Sequence, residues 1–153
     1  MNKLPKTLII GIGNSGRQDD DLGWAFLDAI EPNVKDTCDL EYRYQLQVED
    51  AELIAHYEKV IFVDADMVQH PNGFSFKILE AKDVNSYSSH ELNPESILTL
   101  TQKIYNAFPN CYTLGISGCD FHLAIGLSPT AQNNLEKSLH YFTSNFVENV
   151  ATF

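Results

Sequence analysis

The stretch that most limits what this chain can fold into is Leu8 to Trp24, LIIGIGNSGRQDDDLGW. Leu8, Ile9, Ile10 and Ile12 make an apolar run of strand length, bounded by glycine. Gly11 and Gly13 stand at its end, where a backbone turns sharply or lets another group come close. Arg17 and the triplet Asp19, Asp20 and Asp21 follow, and then Gly23, Trp24, Phe26, Leu27 and Ile30 recur at helical spacing. A buried strand has delivered carboxylates to a loop, and a helix leads away. In an open α/β sheet that loop lies on the edge where ligands bind.

The remaining elements repeat this alternation. Residues 7–12 are predicted as the first strand and 21–30 as the first helix, with Asp residues in its opening turn and Pro32 helping to end it. Residues 40–47, LEYRYQLQ, alternate Leu40, Tyr42, Tyr44 and Leu46 with polar neighbours, a period-two strand. A short helix is expected over 49–57. Residues 60–65, VIFVDA, are continuous enough for a central parallel strand. Pro71-Asn72-Gly73 is a turn signal, and Phe74, Phe76 and Ile78 alternate in a strand placed at an edge. Residues 83–91 read as polar and irregular. A helix over 94–107 presents Ile97, Leu98, Thr101, Ile104 and Tyr105 on one face. A last strand is expected over 112–116. A long helix runs from Ser128 as N-cap, with Pro129 at its first position, to about Val150. The expectation is a single domain over 1–153 with a three-layer α/β/α architecture. Its twisted, mostly parallel sheet has about five strands, with helices on both faces and right-handed crossovers.

The chain has 153 residues and a formal net charge of −11. That acidity opposes nucleic acid and anionic membranes, which call for clustered Lys and Arg, and it permits metal cations or a basic partner segment. No apolar run approaches the ~20 residues of a membrane span, and residues 1–6 followed by a glycine-broken run do not read as a signal peptide. Cys38, Cys111 and Cys119 have neither disulfide-framework nor zinc-site spacing and suit a reducing compartment.

Polar groups collect at strand ends: Asp19 to Asp21, Asp64, Asp66, and His90 with Glu91. Asp64 closes an apolar strand, where an unpaired carboxylate is costly, so it needs a donor, a cation or a metal. Carboxylates from two loops and one imidazole make an oxygen/nitrogen set suited to a divalent transition metal. Plainer roles stand beside this one. The Asp triplet serves equally as a helix cap, and Asp64 as an acceptor for a neighbouring turn. His56, His70, His122 and His140 read as structural or idle. Gly11 to Gly16, GIGNSG, matches a dinucleotide loop by pattern, but the acidic triplet at the helix entrance would repel a pyrophosphate. Neither a GxSxG elbow nor an HExxH pair is present.

IIGIGNSGRQDDDLG, VIFVDAD, SSHEL at His90 and IGLSPTAQNNLE occur in the order and at about the spacing of one known family. The sequence resembles the hydrogenase maturation endopeptidases, which trim the C-terminus of the large-subunit precursor of nickel–iron hydrogenases. Carried over position by position, the resemblance implies Asp20, Asp64 and His90 as metal-binding residues. Aligning on Gly23 makes Asp19 and Asp20 the family's acidic pair and puts Asp21 in an extra slot. Where many members have a Gly-Thr-type turn, this chain has Gln45-Leu46-Gln47, a version that looks like the branch serving soluble, multi-subunit hydrogenases.

The resemblance implies a cytoplasmic, monomeric peptidase whose partner is the hydrogenase large-subunit precursor, with no nucleic-acid or membrane partner. Its nickel is delivered by that precursor rather than carried at rest. Asp20 and Asp64 are then also the catalytic candidates. Metal held jointly by enzyme and client docks the scissile bond beside the carboxylates. It can polarise the carbonyl or acidify a bound water, or either Asp can instead serve as general base. Two other classes of function remain in view. One is a non-catalytic metal-binding or assembly chaperone, suggested by Asp21 and Gln45-Leu46-Gln47. The other is a nucleotide-binding domain using Gly11 to Gly16.

Overall fold

The computed structural model describes residues 7–82 and 92–147. Its centre is explained by two strands that are apolar on both sides. In β1 (Thr7–Ile12), Leu8, Ile9 and Ile10 are all fully buried, and in β3 (Lys59–Asp66) so are Val60, Ile61, Phe62 and Val63. Successive strand residues point to opposite faces, so a continuous apolar run feeds two cores at once. Ile9, Ile61 and Val63 enter one core, while Leu8, Ile10, Val60 and Phe62 enter the other.

The other strands are β2 (Cys38–Arg43), β4 (Phe74–Leu79) and β5 (Asn110–Ser117). The order across the sheet is β2-β1-β3-β5-β4, parallel except for β4, which runs antiparallel to β5 at one edge. Helices α1 (Leu22–Val34) and α4 (Pro129–Phe142) bury their apolar stripes on one face. Helices α2 (Asp50–Ala55) and α3 (Pro94–Tyr105) do so on the other. This is the expected three-layer α/β/α arrangement around a five-stranded, mostly parallel sheet.

From β1 the chain moves outward to β2 and then crosses back to β3 on the far side of β1. The connections leaving β1 and β3 therefore diverge, and their C-terminal ends flank a crevice, the position where open α/β sheets bind ligands. Helix α1 comes very close there. A Cβ on Gly23 would lie 2.3 Å from the Ile12 carbonyl oxygen and 2.7 Å from that of Val63, so no larger residue fits without moving the backbone.

Several boundaries differ from expectation for identifiable reasons. The Asp triplet does not open α1; it forms a separate 3-10 turn, Gln18–Asp21, and Asp21 makes no side-chain cap. Pro32 does not end α1. It sits exposed in the last turn, and burial of Val34 one turn after Ile30 carries the helix past it. β2 stops at Arg43 because Tyr44 turns outward and Leu46 is buried from a loop instead. On α3, Ile97, Leu98 and Thr101 face inward, but Ile104 and Tyr105 are exposed. Ser128 and Pro129 start α4 as expected, with the Ser128 side chain accepting from the Ala131 N–H. The α-helix then gives way at Phe142 to a π-helical turn, Thr143–Val147. The polar stretch 83–91, including His90 and Glu91, lies outside the described residues.

Candidate active site

The loop after β1 is laced to the loop after β5. Residues 17 and 124 form a parallel bridge; the Gln18 N–H donates to the Ala124 carbonyl, and the Asp19 N–H to that of Asp120, each at 2.9 Å. Asp19 locks this junction. It is fully buried, and its carboxylate accepts from the N–H groups of Cys119 (2.7 Å), Asp120 (2.9 Å) and Ser128 (2.7 Å) and from the Ser128 hydroxyl (2.7 Å). Burial alone would raise its pKa, but these donors win, and it lies below the usual carboxylate value. Asp19 is a structural acceptor, a role neither helix capping nor the family motif had suggested.

Asp20 and Asp21 are half-buried and differently placed. The Asp20 backbone carbonyl accepts from the Asn14 N–H at 2.9 Å, closing the loop over the crevice. Burial pushes the Asp20 carboxyl up, and the Arg17 charge moderates the shift. Asp21 is also raised by burial, then by the charges of Asp28 and Asp20.

Asp64, at the C-terminal end of β3, is half-buried and among the described residues receives one hydrogen bond, 2.8 Å from the next N–H at Ala65. Burial drives its carboxyl up to about 7; the Ala65 N–H opposes this, and the charges of Asp20 and Asp66 add to it. Asp20, from the turn after β1, and Asp64, near the end of β3, thus border the same crevice, and the charge of Asp20 acts on Asp64. A group so placed holds a proton or a cation readily and bears its own charge poorly.

Asp64 opens onto a cleft of about 180 Å³, lined also by Asp66, Ser75, Lys77, Pro94 and Gly115. The Asp66 carboxylate lies over Gly115, where a Cβ would come within 3.0 Å of its Oδ2. The Val68 N–H donates to Asp66 Oδ1 at 2.9 Å, and His70 Nε2 meets Oδ2 at 2.7 Å. Burial would raise Asp66, but His70, the Val68 N–H and Lys77 bring it below its ordinary value. His70, read from sequence as structural or idle, is the partner of a cleft carboxylate. Its four-residue spacing from Asp66 was the available signal, obscured because the segment is a loop rather than a helix. The Ser117 hydroxyl accepts from the His70 N–H and donates to the Val68 carbonyl, which fixes the loop.

On the other side of the crevice, the Gly13 N–H and Trp24 Nε1–H both donate to the Arg43 carbonyl, and Asn14 Nδ2 donates to the Tyr44 hydroxyl at 2.8 Å. Buried Asp50 accepts from Arg43 and from the Gln47 N–H, which sets the Gln45-Leu46-Gln47 loop beside the site.

His90 lies outside the described residues, so its position relative to the two aspartates is not part of this geometry. Pro94, where described chain has resumed, lines the Asp64 cleft. Among the described residues, no three His, Cys, Asp or Glu side chains form a metal-binding group. The GIGNSG segment is not arranged as a dinucleotide loop. Gly16 is folded back on the Asn14 side chain, and α1 begins only at Leu22, beyond the acidic turn. No helix among the described residues is long and apolar enough to cross a membrane.

No protein-family model and no curated protein matches the chain. Solved structures do. The hydrogenase maturating endopeptidase HybD from E. coli superposes with a TM-score of 0.72 at 21% identity, covering 94% of this chain and 93% of that one. The [NiFe] hydrogenase maturation protease HycI from Thermococcus kodakarensis KOD1 gives 0.71 at 20% identity, with 94% and 93% covered. A hydrogenase 2 maturation peptidase from a Thaumarchaeota archaeon gives 0.65 at 21%, with 91% and 96% covered. Over more than nine-tenths of its length, the chain has the fold of the hydrogenase maturation proteases.

Proposed function

We propose that this protein is a nickel-dependent processing endopeptidase. It would remove the C-terminal extension of a nickel–iron hydrogenase large-subunit precursor, working in the cytoplasm as one domain over residues 1–153. The observation that carries this reading is Asp64: a half-buried, under-bonded carboxylate at a sheet switch point, facing the charge of Asp20 across the crevice. Such a pair is stabilised by an arriving cation. Nickel already seated in the precursor is that cation, and Asp20, Asp64 and His90 are its ligands on this chain. The ion docks the scissile bond at the rim, a proximity effect, and polarises its carbonyl. Asp20 or Asp64 then accepts the proton of the attacking water as general base.

The test is direct. The protein is incubated with a nickel-loaded precursor, and loss of the C-terminal peptide is read by mass spectrometry. Asp20→Ala, Asp64→Ala and His90→Ala should each abolish cleavage while the far-ultraviolet circular dichroism stays unchanged. A precursor that binds stably but is never shortened would reassign the protein to an assembly chaperone.

A further inference from the structure

The acidic turn is tied unequally on its two flanks. Toward the loop after β5 it has many bonds. The Gly16 carbonyl accepts from the Ala124 N–H at 3.1 Å, Arg17 Nη2 donates to the Phe121 carbonyl, the Gln18 side chain accepts from the His122 N–H, and Asp19 carries the clasp already described. These ties end at Asp19. The next residue, Asp20, is held from the opposite flank, by Asn14.

The peptide planes on both sides of the Asp20 Cα lead back to Asn14. The Asp20 carbonyl, in the plane that follows, accepts from the Asn14 N–H at 2.9 Å. The Asp20 N–H, in the plane that precedes, donates to the Arg17 carbonyl at 3.0 Å, and the Arg17 N–H donates to the Asn14 carbonyl at 3.3 Å. Each peptide unit is rigid, so with both planes held the direction of the Asp20 Cα–Cβ bond is held too.

Asn14 is kept in place by its own side chain. Its Oδ1 accepts from the Gly16 N–H at 2.9 Å, and its Nδ2 donates to the Tyr44 hydroxyl at 2.8 Å. An amide does both at once because it carries an acceptor and donors on one planar group. Tyr44 lies just past the end of β2 and is 67% exposed, so its ring adds little to the core and its hydroxyl is the part the turn uses. We propose that Asn14 and Tyr44 are positioning residues: Asn14 aims Asp20 toward the end of β3, and the Tyr44 hydroxyl holds Asn14 in the conformation that does so. Both act through Asp20 and not on the substrate. This rests on the proposed endopeptidase reading and extends it to two uncharged residues.

The experiment measures cleavage of a nickel-loaded precursor by wild type, Tyr44→Phe, Asn14→Ala and the double variant, each checked by thermal melting. Tyr44→Phe deletes one exposed hydroxyl and should melt with wild type. It should lower kcat about fivefold, the loss expected from one hydrogen bond. Asn14→Ala should lower kcat about thirtyfold, approaching the penalty for an ångström of misplacement. KM should stay unchanged in both, because the interaction counts only in the transition state. In the Asn14→Ala background, Tyr44→Phe should cost nothing further, since the two residues act through one bond. The amide proton signals of Asp20 and Asp21, followed without any client, should shift in Tyr44→Phe. If Asn14→Ala fails to fold, Tyr44→Phe carries the test alone. Unchanged kcat would overturn the proposal, as would additive losses in the double variant or signals of Asp20 and Asp21 that stay in place. A raised KM at constant kcat would make Tyr44 a client contact and also overturn it. If wild type cuts no precursor, the endopeptidase reading fails and takes this role with it. Cleavage by wild type with any of the other adverse results removes the positioning role alone.

Discussion

Asp19 and Asp64 are two aspartates withdrawn from water at the same rim of the sheet, and the fold treats them in opposite ways. Asp19 is completely buried, yet four donors from two distant loop segments converge on it, and its carboxyl is held below its ordinary pKa. Asp64 retains some exposure, receives one donor from its own neighbour, and is pushed to about 7. Degree of burial therefore does not separate a carboxylate held in its charged form from one pushed toward its neutral form. The number of donors aimed at it does. A satisfied carboxylate ties chain segments together, while an under-bonded one keeps its lone pairs for something that arrives from outside.

Removing each carboxylate tests that contrast. Asp19→Ala should have the largest effect on the fold, a loss on the order of 4 kcal/mol, because three backbone N–H groups and a hydroxyl lose their acceptor in a dry site. Urea titration measures it, and a loss below about 1 kcal/mol would place Asp19 with ordinary surface acids. Asp64→Asn should do the reverse. Cleavage should fall by at least about a hundredfold, while the metal-free protein gains on the order of 2 kcal/mol at pH 8, since a poorly tolerated charge is gone. A variant that is both less active and less stable would erase the distinction.

The same two residues should titrate stability with opposite signs. Folded Asp19 has a lowered pKa, so its contribution is complete above the unfolded value of 3.8 and is lost as pH falls through the folded value. Folded Asp64 keeps its proton up to about 7, whereas the unfolded chain releases it near 3.8. Between those values the unfolded state binds fewer protons, so stability falls as pH rises. Melting curves of metal-free wild type and Asp64→Asn should therefore separate progressively from pH 4 to 7 and run parallel above that. Asp66 stands between the extremes, with donors from Val68 and His70. His70→Ala should cost about 1 kcal/mol of stability and little activity. A drop in cleavage beyond about tenfold would move the pair from cleft wall into the reacting site.

What the sequence revealed and what it hid follow the range of the interactions involved. The β1 and β3 runs, the Pro71-Asn72-Gly73 turn and the Ser128-Pro129 helix start were legible because each is decided by neighbours in the chain. Asp20 and Asp64 were legible as candidates because they stand beyond and at the C-terminal ends of apolar strands. The role of Asp19 was not, since its partners lie some hundred positions away and three of its four donors are backbone N–H groups that bear no residue signature. The alternation through Tyr44 and Leu46 mimicked a longer strand, although Leu46 is buried from a loop beyond the strand's end. Ile104 and Tyr105 kept helical spacing past the point where anything packs against α3.

The clasp that Asp19 makes with Cys119, Asp120 and Ser128 also sets an order of events during biosynthesis. The acidic turn leaves the ribosome early, but the segment that seats it is translated a hundred residues later, after β5. Until then its aspartates have no fixed bearing toward the end of β3. A nascent or truncated chain lacking that late segment has no donors for the Asp19 carboxylate, so nothing yet clasps the acidic turn to the end of β5.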